Sequence, residues 1–146
     1  MLDGQMMPYH YHWYKTEDVI NRGDGDLKVT LYNSSADDFA NREKMLEGEE
    51  GIFTDEPVLI SMDGKQIEVE AGGSVILKPG SSITISPGQY HKWQAIPGTG
   101  DVVLFEVSKV NDDNIDNRFK VPGGRFPQIE EDEDAEYLIF KDYNSL

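Results

Sequence analysis

No cysteine occurs among the 146 residues, which excludes disulfides, thiolate zinc sites and cysteine nucleophiles. Positive charge is scarce: 13 Lys and Arg stand against 28 Asp and Glu, a formal net charge of −15. So negative a surface repels phosphate backbones and anionic lipid, and no basic stripe compensates. Nucleic acid and membrane partners are therefore set aside. Long apolar runs are missing too: stretches such as Val102-Val103-Leu104-Phe105 fall far short of a bilayer span. Met1-Leu2-Asp3-Gly4 has neither a basic n-region nor an apolar h-region. These absences lead to the expectation of a soluble, cytoplasmic protein. What is present suffices for a core. Hydrophobic residues make up 38% and aromatics 10%, which argues against wholesale disorder, and the length suits a single domain over residues 1–146.

Gly (14) and Pro (7) fall mostly between short runs of β-branched and aromatic residues, the spacing of many short strands joined by turns. The first strand is expected over Gln5 to Trp13, then Leu27 to Tyr32 after Gly23-Asp24-Gly25-Asp26. Pro57 to Met62 and Lys65 to Glu70 flank Asp63-Gly64, the strongest hairpin signal in the chain. Ser74 to Leu77, Ser82 to Ser86, Tyr90 to Ile96 and Asp101 to Val107 complete an all-β sandwich or barrel. Ala36 to Asp55 reads as an acidic loop with one short helix. Beyond Val110 the chain reads as irregular and then acidic from Glu130 to Asp134, and Tyr137 to Phe140 is an apolar element able to dock on the barrel.

The chain has three histidines, His10, His12 and His91. The first two alternate along the first strand, so they share one face, with Met6 and Pro8 expected beside them and Tyr9, Tyr11 and Trp13 opposite. Glu17 follows where the chain can turn back toward the pair, and His91 comes from a distant strand after Ser86-Pro87-Gly88-Gln89-Tyr90. A His-x-His pair by itself is a weak signal. Three imidazoles with one carboxylate, however, form a donor set that suits Mn, Fe, Co, Ni or Zn and leaves positions open for water or substrate.

The spacing is more specific than the composition. Gly4, His10, His12 and Glu17 match the first cupin motif, G(X)5HXH(X)3–4E, and Gly80, Pro87, Gly88 and His91 match the second, G(X)5PXG(X)2H. Ser86 stands where the second motif usually has Pro, Ala95 where it has Asn, and the glycine expected after Glu17 is displaced to Gly23 or Gly25. Beyond this frame the chain resembles the D-lyxose isomerase family of cupin sugar isomerases. The resembling segments are His10-Tyr-His-Trp-Tyr-Lys-Thr-Glu17 through Gly23, Pro87-Gly-Gln-Tyr-His91, Glu106 to Asp113, Asp116-Asn-Arg-Phe119 and Gly124-Arg-Phe-Pro127. The resemblance implies a cupin barrel with short peripheral helices and a divalent metal, Mn2+ first with Co2+, Zn2+ or Fe2+ as alternatives. The implied ligands are His10, His12, Glu17 and His91. It also implies a homodimer and the conversion of D-lyxose to D-xylulose, with D-mannose to D-fructose beside it. Family members carry further helices and strands ahead of the His-x-His strand. Here that strand begins almost at Met1, so a cupin domain without this extension is expected.

The chemistry follows from the substrate class. An open-chain aldose offers a C1 carbonyl and a C2 hydroxyl to one divalent cation. Isomerisation then needs a base to move a proton between C2 and C1 and positive charge to stabilise the enediolate. Glu106, between Phe105 and Val107 on the face of Val102 and Leu104, is the expected general acid/base, its carboxyl raised by burial in an apolar strand. The alternative role for Glu106 is a barrel-end salt bridge. Lys15, close to His12 and Glu17, is expected to bind a substrate oxygen or stabilise the enediolate, or else to be a solvated turn lysine. Asp113 and Arg118 either contact sugar hydroxyls or form the turn and ion pairs of their own loop. Trp13 and Trp93 either line a sugar pocket or belong to the core. The same donor set also serves a non-haem iron dioxygenase or a non-catalytic sugar-binding cupin. An isomerase pocket should be lined with charged and amide groups and work without O2, whereas a dioxygenase would need Fe2+ and consume oxygen.

Overall fold

A computed structural model describes residues 1–46, 48–110, 112, 115–123, 133, 136 and 137, without the side chains of Met45 and Leu46. The strands are β1 (Met6–Tyr11), β2 (Glu17–Asn21), β3 (Leu27–Asn33), β4 (Val58–Met62), β5 (Lys65–Val69), β6 (Ser74–Leu77), β7 (Ser82–Ile85), β8 (Gln89–Ala95), β9 (Leu104–Ser108) and β10 (Arg118–Phe119). Two short helices, α1 (Ala36–Ala40) and α2 (Glu43–Leu46), lie between β3 and β4. One sheet runs β10-β1-β8-β3-β6 and the other β5-β4-β7-β2-β9, with every pairing antiparallel. The fold is the all-β cupin sandwich. Among the described residues no helix is long and apolar enough to cross a membrane.

Alternation along the strands builds the core. Leu27, Val29 and Leu31 of β3 and Trp93 and Ala95 of β8 meet Val19, Val58, Ile60, Ile83 and Ile85 of the facing sheet. Each fully buried aliphatic side chain there contributes roughly 1.5–3 kcal/mol relative to exposure. A second, aromatic cluster of Tyr11, Trp13 and Tyr90 packs with Tyr9, Tyr32 and Phe53. The Asp63-Gly64 hairpin forms as expected: Met62 pairs with Lys65, and both turn residues have positive φ, 48° and 76°.

The first strand departs from expectation. It covers Met6–Tyr11 rather than Gln5 to Trp13, and its register against β8 shifts between Met7 and His10. Pro8 lies inside that irregularity and has no N–H to give a sheet ladder. The bulge breaks strict alternation, so Met7 rather than Met6 or Pro8 joins His10 and His12 at the interior cavity, and Met6 is exposed. The stretch from Ala36 to Asp55 holds two helices instead of one. Glu17 opens a strand instead of lying in a turn, and Arg118–Phe119 adds a short strand to β1. Of Tyr137 to Phe140 only Tyr137 is described, and it is exposed; the expected docking of this element and most of the Glu130 to Asp134 run lie outside the described residues.

Candidate metal centre

The sheet pairing delivers the donors. His10 on β1 sits directly opposite His91 on β8, ring centroids 4.2 Å apart and Nε2 atoms 3.1 Å apart. His12 follows the end of β1, its ring 5.3 Å from that of His10 and 5.7 Å from that of His91. Glu17 enters from the opposite sheet at the start of β2. Its Oε1 lies 3.0 Å from His91 Nε2 and its Oε2 3.5 Å from His12 Nε2. One ligand-type nitrogen of each histidine lies within 4.8 Å of the other two. All four side chains are buried.

The outer nitrogens explain what the inner ones offer. Nδ1 of His10, His12 and His91 reaches the carbonyl oxygens of Pro8 (3.0 Å), Asp116 (2.6 Å) and Gln89 (3.0 Å). A carbonyl only accepts, so each Nδ1 carries the proton and each neutral ring turns the Nε2 lone pair inward. The inward cluster is therefore rich in acceptors and poor in donors. His12 Nε2 and Glu17 Oε1 are buried without a hydrogen-bond partner. The 3.0 Å approach of His91 Nε2 to Glu17 Oε1 thus brings the atoms close without the direction of a hydrogen bond. Buried lone pairs that face one another cost free energy unless a cation lies between them. This arrangement fits a divalent metal, and the carbonyl contacts supply the outer partners that ligating histidines use.

Proton affinities agree with that polarity. Burial, then the neighbouring His91 imidazole, holds His10 well below the ordinary histidine value. Burial also lowers His12, against the opposing pull of Glu17. For Glu17 burial alone would raise the carboxyl, but the contact with His91, the adjoining His91 and His12 rings and the Lys15 ammonium outweigh it and hold the group well below the carboxylate range. Burial thus favours the neutral imidazole at His10 and His12 beside an ionised Glu17, the forms that bind metal.

A cavity of about 230 Å3 opens on these donors, lined also by Lys15, Glu106, Asn117, Trp93, Met7 and Phe119. Lys15 Nζ lies 2.6 Å from Glu106 Oε1 and 3.2 Å from Glu17 Oε2. Burial works against the Lys15 ammonium, yet its bond to Glu106 and the two carboxylate charges push its pKa above the ordinary value, so it stays cationic. Glu106 corrects an expectation: it does share the cavity face with Leu104, but its side chain is 44% exposed. The burial invoked to raise its carboxyl is absent, because β9 is the last strand of its sheet and Glu106 lies at the cavity mouth. Ser108 Oγ donates to the same Glu106 oxygen at 2.7 Å. A larger concavity, about 720 Å3, adjoins through Met1, Met7 and Phe119, but histidine and carboxylate side chains are missing from its described lining.

Two other expected site residues fare differently. Arg118 is buried away from the cavity, its Nε and Nη2 donating to Asp38 Oδ1 at 3.1 and 2.7 Å and its Nη1 to the Glu49 carbonyl at 2.9 Å. It forms an ion pair, but with Asp38 of α1 and not within its own loop as expected, and it does not reach the cavity. Asp113 lies outside the described residues. Trp93 lines the cavity, whereas Trp13 packs with Tyr11 and donates to the Phe39 carbonyl. Asn117 was not foreseen. The Asp116-Asn-Arg-Phe119 block singles out its segment, but only the pairing of Tyr11 with Arg118 and His10 with Phe119 decides which side chains turn inward.

Facing antiparallel sheets with three histidines and a carboxylate converging between them define a cupin. Sequence comparison narrows the class. The profile of the D-lyxose isomerase family matches residues 1–143, and the chain belongs to that family. It is 39% identical over 144 residues to a D-lyxose/D-mannose isomerase of Escherichia coli O157:H7, covering 99% of this chain and 58% of that protein. It is 40% identical over 141 residues to a D-lyxose/D-mannose isomerase of Serratia proteamaculans, covering 97% and 56%. The chain therefore spans somewhat over half the length of the curated relatives it matches.

Proposed function

We propose that this protein is a divalent-metal-dependent aldose–ketose isomerase that interconverts D-lyxose and D-xylulose, with D-mannose and D-fructose as a second pair. The observation that carries the proposal is the inward-facing donor set, with His12 Nε2 and Glu17 Oε1 buried without a partner, beside the Lys15–Glu106 pair. His10, His12, His91 and Glu17 would hold the metal, Mn2+ in the first instance because oxygen ligands from sugar and Glu17 suit it. When bound, that ion polarises the sugar carbonyl and stabilises the enediolate.

The chain's own groups do the rest. Glu106, at the mouth and within reach of solvent, takes the proton from C2 and returns it to C1, so the carboxylate is regenerated each turnover. The hydroxyl proton passes from O2 to O1, which balances the isomerisation. Lys15 remains charged and acts as a fixed positive group for the developing oxyanion, not as a base. Asn117 offers an amide at the cavity wall for a sugar hydroxyl. A cavity of about 230 Å3 suits a small polyol better than a nucleotide-sized cofactor. Its ionic and amide lining supports isomerisation over oxygen chemistry. The same reading carries a homodimer in the cytoplasm.

The test is to incubate the Mn2+-loaded protein with D-lyxose and D-mannose, with and without O2, and score ketose by chromatography. Ketose formation independent of O2 is expected. Metal bound at full occupancy with neither sugar converted would overturn the isomerase, and O2 consumption with Fe2+ would favour a dioxygenase.

A further inference from the structure

The turn from β1 to β2 hangs on one distant side chain. Asp116, 3% exposed, lies 101 to 103 residues beyond the amides it binds. Its Oδ1 accepts the N–H groups of Trp13 (2.6 Å) and Tyr14 (2.8 Å), and its Oδ2 accepts that of Lys15 (3.2 Å). Three successive amides aimed at one carboxylate form an anion-binding concavity, filled here by the protein's own charge. The Asp116 backbone carbonyl, meanwhile, accepts His12 Nδ1–H at 2.6 Å. Asp116 is itself tied back by its N–H to the Asp112 carbonyl at 2.9 Å and does not line the cavity.

One residue thus holds both halves of the site. Through its carbonyl it sets the tautomer and ring orientation of His12. Through its carboxylate it fixes the backbone from which Lys15 reaches Glu106 and Glu17. The neighbouring Asp38 cluster ties nearby segments together as firmly, yet it donates nothing to the centre. We propose that Asp116 is a positioning residue whose carboxylate, by gripping three successive amides of the turn after β1, holds the Asp116 carbonyl against His12 and fixes the backbone that carries Lys15. This inference rests on the metal-dependent reading above and deepens it.

Asp116→Asn keeps the size but removes the charge, and it turns an amide N–H2 toward at least one backbone N–H. Outer partners of ligating histidines typically govern metal affinity by 10–100-fold. In the folded variant the Mn2+ affinity, read by calorimetric titration, is expected to fall at least about tenfold. At saturating Mn2+ the kcat for D-lyxose is expected to fall by a similar factor, with KM moved much less. Tyr90→Phe supplies the contrast. It deletes the hydroxyl that donates to Asp38 at 2.7 Å, and it is expected to lower the melting temperature while leaving Mn2+ affinity within about twofold, a bound set by the distance additivity of separate sites.

Should Asp116→Asn fail to fold, nitrogen NMR of the metal-free native chain decides the point: His12 must carry its proton on Nδ1. The Nε2–H form would overturn the proposal. A folded Asp116→Asn chain that binds Mn2+ as tightly as the native one overturns it too, while leaving the metal centre intact. A native chain that takes up no Mn2+ overturns the centre, and this inference with it. Native metal uptake without sugar turnover removes only the isomerase, since the titration still reads the role of Asp116.

Discussion

Two buried polar clusters lie on opposite faces of β1, His10 belonging to one and Tyr11 to the other. Around Asp38, the Arg118 guanidinium donates twice to Oδ1, Tyr90 Oη donates to Oδ2 at 2.7 Å, and Tyr11 Oη donates to the Asp38 carbonyl at 3.2 Å. Donors and acceptors match there, and none of these side chains carries a buried unpartnered polar atom. Around Glu17 the burial is just as deep, but acceptors face acceptors and two atoms are left unpartnered. The two clusters share burial and differ in satisfaction. A matched buried ion pair holds the fold together, whereas an unmatched set of lone pairs is held open for a ligand by the structure around it. Burial of charge alone would not have told them apart.

Substitutions can break this contrast. The largest effect is expected for Glu106→Gln beside the centre. Loss of a general acid/base lowers kcat by about 10²–10⁴, while Mn2+ affinity should stay close to native, since Glu106 lies outside the ligand set, and the melting temperature should fall only modestly because the buried Lys15 keeps Glu17 as a partner. Steady-state kinetics with a parallel melting curve checks it. Next comes Asp38→Ala, which strands the Arg118 charge in the interior. Removing one partner of a buried pair costs about 3–5 kcal/mol, read by urea unfolding, and the folded fraction should retain its metal affinity. That result would separate the cluster that stabilises from the cluster that binds.

The smallest expected effect is a pH dependence. Burial holds His10 and His12 below the ordinary histidine value of 6.5, so the unfolded chain binds protons there that the folded chain does not. Stability conferred by the neutral rings is fully present above about pH 6.5 and is lost as pH falls toward their depressed folded values. Glu17, depressed below 4.5, adds a loss of the same sign at lower pH. The three histidines of the chain all lie in the centre. Metal-free protein should therefore lose stability from about pH 6.5 downward in chemical denaturation, and bound Mn2+, which keeps protons off the same ligands in the folded state, should leave that slope at least as steep while raising stability throughout.

Much of this was legible in residues alone. The spacing of Gly4, His10, His12 and Glu17, with His91 after a Pro-Gly turn, leads to the four donors because strand alternation and turn chemistry are local. Asp63-Gly64 is legible for the same reason. What escaped depends on pairing between distant segments. Pro8 signals an interrupted ladder, yet the register shift that brings Met7 inward appears only against β8. Glu17-Asp18-Val19-Ile20-Asn21 carries a weak strand signal and becomes β2 because β7 and β9 flank it. Glu106 looks buried from its apolar neighbours, but β9 is an outermost strand, and Phe105 and Val107 are themselves exposed. Arg118 turned to Asp38 rather than to the cavity, because β10 pairs it with Tyr11, on the face away from His10.

The most direct measurement is X-ray diffraction at the manganese absorption edge from crystals grown with Mn2+. A single anomalous peak is expected between the sheets, bound by Nε2 of His10, His12 and His91 and by the Glu17 carboxylate, with all three Nδ1 atoms still on their carbonyls. No peak there at saturating Mn2+, or a metal held through Nδ1 with the Pro8, Asp116 and Gln89 contacts broken, would contradict it.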